Sequence, residues 1–560
     1  MKVVKTFNRL KKMYHYGHFE KRIIITFIEF FLSSVIWIVI DQYMTYSLFD
    51  SAIAKENIRL VLFLSILMII KNIVNISEGI LNCILRHHLQ RDFSNYARKE
   101  VFNKLINSKI EYFDNSSSSY LFELIVNDTN NLAMFFTQNS LIPMSFGVRA
   151  LTYIVILLFM NVKLTLLLII VYIIGYIALI LSNKKTFILL KNIREANILV
   201  TKWTTEEINC LEIIKSLRLE KDRLDKINKL IKDYNDEENK LDNIVRKYTF
   251  IYNIFSLLAI VIVTYVGGID ILKSTMTYGS LMIFINATSS IKRYCDIVIR
   301  YVDKLNKSYI SFCKVLKFND EVKMEEDKGN LQLEKINNIE FKNINFSYNS
   351  KKKILKDINI EVNKGDKIAI IGRTGSGKTT LANILCRFYD LENGQIKIND
   401  IDYKQYKLNA LRKEIGYVMQ DVVIFEGNVY ENINYVKKEI SNEDIVNICK
   451  RLNLHNKIMS LKDGYETDLS KNKDTLSQGE KQMINFARIL VEDPSLIILD
   501  EVTSSLSYSN EELIKNAINE ITKGRICFII AHRLSTIKSC NKILLMKDGK
   551  IMETKKYFRC

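Results

Sequence analysis

Between Lys367 and Thr380 the chain reads K-I-A-I-I-G-R-T-G-S-G-K-T-T, an order of residue types suited to holding a phosphate. The short apolar run from Ile368 to Ile371 has the composition of a buried parallel strand, and an apolar helical pattern follows from Leu381 to Phe388. Between them the loop matches G-x-x-x-x-G-K-[ST]. Gly372, Arg373, Thr374, Gly375, Ser376, Gly377, Lys378, Thr379 and Thr380 are its candidate phosphate-binding positions. Glycines let backbone N–H groups curl round the anion, and the helix that follows adds the positive end of its dipole. Lys378 supplies a point charge to the outer phosphates, and the Thr379 hydroxyl is placed to ligate Mg²⁺. The chemistry implied is binding of a nucleoside triphosphate. A second apolar strand, Leu496 to Leu499, ends in Asp500 and Glu501. A carboxylate at such an edge can hold Mg²⁺, and the next one can polarise a water for attack on the γ-phosphate.

These loops need a sheet to present them. Apolar strands at Ile368 to Ile371, Leu496 to Leu499, Ile526 to Ile530 and Ile543 to Met546 alternate with helical patterns. With strand alternation from Ile339 to Tyr348, this predicts an α/β unit over residues 335–560 with a mainly parallel sheet. Ahead of it the composition changes. The 560 residues are 48% hydrophobic and 25% charged, and the apolar excess lies before about residue 300. Six runs stand out, about 23–40, 58–85, 141–160, 164–181, 250–269 and 278–302, each near the roughly 20 residues that cross a bilayer. The segments 86–140 and 183–247 are charged and helix-patterned, so they extend the spans as helices outside the lipid. The expected division is a transmembrane domain over 1–317, an acidic linker over 318–334 and the α/β unit thereafter.

The basic stretch before the first run, with Lys2, Lys5, Arg9, Lys11, Lys12, Lys21 and Arg22, predicts a cytoplasmic N-terminus, and six crossings return the chain to that side. The first run has no small-residue cleavage site after it and reads as a retained anchor. Only about 22 residues precede it, so no peptidase module is expected there. The formal net charge of +18 follows from this topology and a Lys-rich composition; no basic tract interleaved with aromatics points to nucleic acid. Nine scattered cysteines without a C-x-x-C pair read as reduced thiols, with no disulfide frame and no zinc site.

Leu476-Ser477-Gln478-Gly479-Glu480 precedes the Asp-Glu strand and Ala531-His532-Arg533 follows the next, and with these the chain resembles an ATP-binding cassette (ABC) transporter. Six spans ahead of one cassette resemble an exporter-type half-transporter, and Phe113-Asp114 and Asn127-Asp128 extend the likeness into the first cytoplasmic segment. The resemblance implies ATP and Mg²⁺, with Tyr348 stacking on adenine and Gln420, beside Thr379 and Asp500, touching the metal and the attacking water. It implies Ser477, Gln478 and Gly479 as a signature that closes on the ATP of the other cassette. Glu501 is then the general base or water-orienting group, His532 the γ-phosphate switch, and Lys378 a stabiliser of charge. Two departures stand out: Glu480 where glutamine is usual, and Ser507 in S-S-L-S where S-A-L-D is usual.

With one P-loop and one signature per chain, facing each other across chains, the working unit is a dimer in the bilayer. A homodimer is favoured, and a related partner chain is the other arrangement. The expected activity is ATP-driven export from a multi-pass plasma-membrane protein, with the ATP-binding domain in the cytoplasm and a peptide, a lipid or a drug-like molecule as cargo. The alternative is a catalytically weak or regulatory subunit of a heterodimeric complex. Lys292, Arg293, Asp296 and Arg300 fall inside the sixth run, where charges mark a pathway unless the helix has already left the lipid. Lining a cavity, they would favour a polar or anionic cargo.

Overall fold

Backbone inside a bilayer is satisfied only within helices or closed barrels, and in a computed structural model the apolar runs are all helical. The structure describes residues 19–560 except 115, 349–352, 421, 437–438, 470–475, 501, 503–507, 532–536 and 557–560. Two units divide the chain: Met1–Asn103 with Ser119–Glu321, and Lys104–Ser118 with Val322–Cys560. The cassette unit thus includes a short piece of the first expected cytoplasmic segment.

The helical unit is built from α1 (Phe19–Tyr46), α2 (Ile58–Ile106), α4 (Ser118–Met160), α5 (Val162–Asn209), α6 (Leu211–Ser216), α7 (Glu220–Leu272) and α8 (Tyr278–Glu321); α3 (Ile110–Asp114) belongs to the other unit. Among the described residues, four segments are long and apolar enough to cross a membrane: Lys21–Ile53, Ile58–Ile106, Ser118–Met160 and Glu220–Leu272, with mean hydropathy from 1.9 to 2.5. The other two expected spans are helical as well. The fourth contains the shorter apolar stretch Val162–Ile177, and the sixth is interrupted by its own charged residues. Ile66, Ile69 and Ile73 on α2 are 56–59% exposed, an inside-out pattern that water would not tolerate over so wide a surface.

Several polar groups within these helices find partners. Lys71 pairs with Asp41, and the Trp37 indole N–H donates to Glu78, each joining α1 to α2. The Gly279 N–H donates to Asp50 at 2.8 Å, placing a carboxylate at the start of α8. Asn161 caps α5 by accepting from the Leu164 N–H at 3.1 Å. Below the apolar runs, buried Asp128 pairs with Lys314 at 3.2 Å, fixing α4 to α8.

The second unit has two sheets. The smaller is antiparallel, in the order β2 (Leu355–Asn363), β1 (Asn338–Phe346), β4 (Asn393–Ile398), β5 (Ile401–Asp402). The larger runs β10 (Lys550–Lys556), β9 (Lys542–Lys547), β3 (Lys367–Gly372), β8 (Ile526–Ile530), β7 (Leu496–Asp500), β6 (Ile415–Val418), and is parallel except for β10. Strands β7 and β8 are buried at every position, as a sheet covered on both faces requires. The expected linker does not hang free: Arg412 grips Glu325 with two hydrogen bonds of 2.9 and 2.6 Å, and Leu331 bridges to Tyr406.

Candidate functional site

Register decides where the chemistry sits. Ile370 on β3 and Asp500 on β7 both pair with Ile530 of β8, and Leu499 pairs with Val418 of β6. Four neighbouring parallel strands therefore end together, about 4.8 Å apart. Gly372, Asp500 and Ala531 leave the same edge, with Gln420 two residues beyond the end of β6.

At that edge the loop after β3 turns sharply into α9 (Lys378–Leu385). A Cβ on Gly372 would stand 2.3 Å from the Met546 carbonyl oxygen, so the residue is glycine for space. Gly377 has φ 103° and begins the helix, which needs a left-handed backbone. Arg373, Thr374, Gly375 and Thr379 are exposed, whereas Ser376, Gly377, Lys378 and Thr380 are buried. The Lys378 ammonium donates to the Gly372 and Arg373 carbonyls at 2.9 and 3.2 Å, spanning the loop. Ser376 Oγ is buried without a hydrogen-bond partner among the described residues, so the loop holds an unspent polar group. A cradle of this kind fits a triphosphate.

Asp500 is buried and accepts from the Tyr417 hydroxyl at 3.3 Å. Burial first, then the Asp500 charge, raises the Tyr417 phenol well above its ordinary range, so it remains a donor. Tyr348 is partly exposed; its hydroxyl donates to Thr380 at 3.2 Å, which places the predicted stacking ring beside the phosphate loop. Its ring meets Phe346 and Tyr389 edge-on at 5.0 and 4.9 Å. The Thr379 hydroxyl, Gln420 amide and Asp500 carboxylate are hard oxygen donors of the kind Mg²⁺ takes.

Ser477, Gln478 and Gly479 lie elsewhere in the unit, at the start of α14 (Gln478–Glu492), reached after α10 (Leu408–Lys413), α11 (Val429–Ile433), α12 (Asn442–Arg451) and α13 (His455–Met459). Ser477 is the N-cap in a capping box. Its N–H donates to Glu480 at 2.7 Å, and the Glu480 N–H donates back to its hydroxyl at 3.4 Å. Glu480 also pairs with Lys457 at 3.5 Å, so the unusual glutamate serves the helix start and is partly neutralised. Glu501 and His532 lie outside the described residues, as does Ser507.

Three residues escaped the sequence reading. Tyr417 orients Asp500, but within Ile415–Val418 it reads only as a strand aromatic. Arg488 on α14 donates to the carbonyls of Asn432 at 2.7 Å and Val423 at 2.9 Å, tying the stretch after Gln420 to the signature helix. Tyr389 donates to Asp114, the second residue of Phe113-Asp114, within the cassette unit.

Comparison with known proteins matches this geometry. The family described as ABC transporter matches residues 355–504, and that described as ABC transporter transmembrane region matches 22–291. The putative multidrug export ATP-binding/permease protein YgaD of Bacillus subtilis (strain 168) is 30% identical over 459 residues, 81% of this chain and 79% of that protein. The chain belongs to the ABC transporter family. The ATP-dependent lipid A-core flippase of Wigglesworthia glossinidia brevipalpis is 29% identical over 462 residues, 81% of this chain and 79% of its own. A solved bacterial Atm1-family ABC exporter with ATP bound shares the fold, with a TM-score of 0.79 at 20% identity over 96% of this chain and 95% of that one. The expectation of an ABC exporter half holds: a transmembrane helical region and an α/β cassette are fused in one multi-pass membrane chain. This ABC transporter couples ATP hydrolysis to export and works as a dimer of halves.

In the helical unit of the ABC transporter lies an apolar cavity of about 450 Å³, bounded by α4, α5, α7 and α8. From α8 it is lined by Ile291, Tyr294, Cys295, Val298 and Ile299. Lys292, Arg293, Asp296 and Arg300 are not part of its lining.

Proposed function

We propose that two copies of this chain form a homodimeric exporter in the plasma membrane. Each copy contributes six spans, with the N-terminus and cassette on the cytoplasmic side, and the domain division lies near residues 317 and 335. Each ATP is held by the loop from Gly372 to Thr380 of one copy, under the Tyr348 ring, and is closed over by Ser477, Gln478 and Gly479 of the other. Lys378 offsets the charge that develops on the outer phosphates. Thr379, Gln420 and Asp500 would hold Mg²⁺, whose chemistry is to neutralise the β- and γ-oxygens. Glu501 orients the attacking water or takes its proton, and His532 faces the γ-phosphate. What carries the reading is the register that ends β3, β6, β7 and β8 at one edge beside the phosphate loop.

The relatives named above export drugs or flip a lipid, and a cavity with an apolar lining suits a cargo with an apolar body. A lipid or drug-like molecule is therefore favoured over a peptide. The test is ATP turnover by this chain alone, reconstituted in lipid beside Glu501→Gln. The expected result is clear turnover that falls at least about a hundredfold in the variant. Well-folded, ATP-binding protein without turnover would replace the homodimer with a pair that needs a different partner chain.

A further inference from the structure

Three helices of the membrane unit bring two arginines to one aromatic ring. The Arg86 guanidinium on α2 lies 4.7 Å from the Phe30 ring centre on α1, and that of Arg149 on α4 lies 5.5 Å from the same ring. Arg149 also faces Phe146 at 5.2 Å. Guanidinium groups stay charged at any working pH, and ring faces offset only part of that charge. Arg86 Nη1 and Arg149 Nε are buried and have no hydrogen-bond partner among the described residues. Nearby acids on the same helices are engaged elsewhere or outside the cluster: Glu78 accepts from Trp37, Asp41 pairs with Lys71, and Glu29 is exposed. Two like charges with unspent, desolvated donors make an anion site.

The site adjoins the apolar cavity. The Phe146 ring, under the Arg149 guanidinium, packs on Tyr294 at 5.4 Å, and Tyr294 lines the cavity. The volume, about 450 Å³, falls within the roughly 300–1,000 Å³ of small-molecule sites. Phe30 is about 10 Å along the helix from Ile23 and Arg149 about 12 Å from Leu141, where their apolar runs begin. In the orientation proposed above, on which this part rests, Arg86 stands just past the cytoplasmic end of its run, and Phe30 and Arg149 lie within the inner half of the roughly 30 Å core.

We infer that Arg86 and Arg149, with Phe30 between them, bind the anionic phosphate headgroup of a membrane amphiphile whose apolar body enters the adjoining cavity. Charge complementarity fixes the headgroup class, and continuity through Phe146 and Tyr294 fixes the apolar tail.

The test uses the full chain reconstituted in phosphatidylcholine bilayers holding a minor fraction of phosphatidylglycerol, then released in mild detergent. Phospholipid retained per chain is counted by mass. The wild-type chain should retain phosphatidylglycerol well above its bulk fraction. In Arg86→Gln/Arg149→Gln the enrichment should fall about tenfold, since hydrogen bonds to a charged group are lost. Arg86→Lys/Arg149→Lys, which keeps the charge, should retain most of it. Retention of phosphatidylglycerol at no more than its bulk fraction by the wild type would overturn the inference without any variant, and so would enrichment unchanged in the Gln pair. Loss of the enrichment in millimolar inorganic phosphate would assign the site to a free anion and overturn the lipid. Retention requires no ATP turnover, so this result and that of Glu501→Gln fail independently.

Discussion

At the scale of single residues, Glu480 and Tyr417 make the nucleotide site of this chain particular. Glu480 keeps the capping box that a glutamine would also make, but puts a charge at a helix start proposed to face the partner's ATP. Glu480→Gln should leave the melting temperature nearly unchanged, because the Lys457 pair is partly solvated and worth little. Turnover should rise about two- to fivefold, the size of a helix-dipole charge effect. Unchanged steady-state turnover would mean that Lys457 already cancels the charge. Tyr417→Phe keeps the ring but removes the donor to Asp500. The Mg²⁺ concentration for half-maximal turnover should rise about tenfold, the low end for a lost ligand-orienting group. Since the phenol is raised above its ordinary range, it stays protonated from about pH 6 to 9, and the wild-type Mg²⁺ requirement should show no titration from this contact there. Lys378, Asp500 and Ser477 were expected from sequence spacing, because each sits in a motif of fixed offsets. Tyr417 was invisible because its role depends on the β6–β7 pairing, which no local pattern states.

Among elements, strands were the most legible. The runs at 368–371, 496–499, 526–530 and 543–546 became β3, β7, β8 and β9 because continuous apolar residues bounded by turns have few other solutions. The antiparallel sheet was less so; β1 and β2 both alternate, but which strands pair with which is set by tertiary pairing and not by composition. Nor did the sequence separate Lys104–Ser118 from the helices on either side, since helical patterning runs through all of them. What holds that piece to the cassette is a small set of contacts. Tyr389 donates to Asp114, and Lys109 pairs with Asp390 at 2.5 Å. The hydrogen bond from Lys109 lowers the Asp390 carboxyl, and the same bond raises the Lys109 ammonium. The pair is therefore formed through the neutral range. It is lost only as pH falls through the lowered Asp390 value or rises through the raised Lys109 value. Tyr389→Phe, which keeps the ring packing, should speed amide exchange over 110–114 about tenfold, as expected for losing a hydrogen bond to a charged group. Exchange corrected for intrinsic rates should not vary between about pH 6 and 9. A wild-type exchange pattern in the variant would leave Lys109 and Asp390 as the main tether.

For the whole molecule, orientation and compartment follow from where thiols stand. Cys210 follows α5, and Cys313 lies on α8 beyond the sixth apolar run; both are exposed, and both fall on the cytoplasmic side of the proposed topology. Cys83 is exposed too, but within the apolar run of α2, where its surroundings are lipid. In the cassette, burial raises Cys386 and Cys527 to about 12 and Cys449 and Cys540 to about 11. Their thiols stay protonated near neutral pH, and thiolate is the reactive form. A charged, membrane-impermeant maleimide should therefore leave Cys210 and Cys313 unmodified in intact cells and label both in inside-out vesicles. A permeant reagent should add Cys83, and the four buried cassette thiols, Cys386, Cys449, Cys527 and Cys540, should react only after denaturation. Mass mapping of the labelled peptides reads all of these sites at once. Labelling of Cys210 or Cys313 from outside intact cells would reverse the proposed topology. Labelling of one but not the other from a given side would break the six-span count between α5 and α8, the stretch in which composition alone left the crossings least certain.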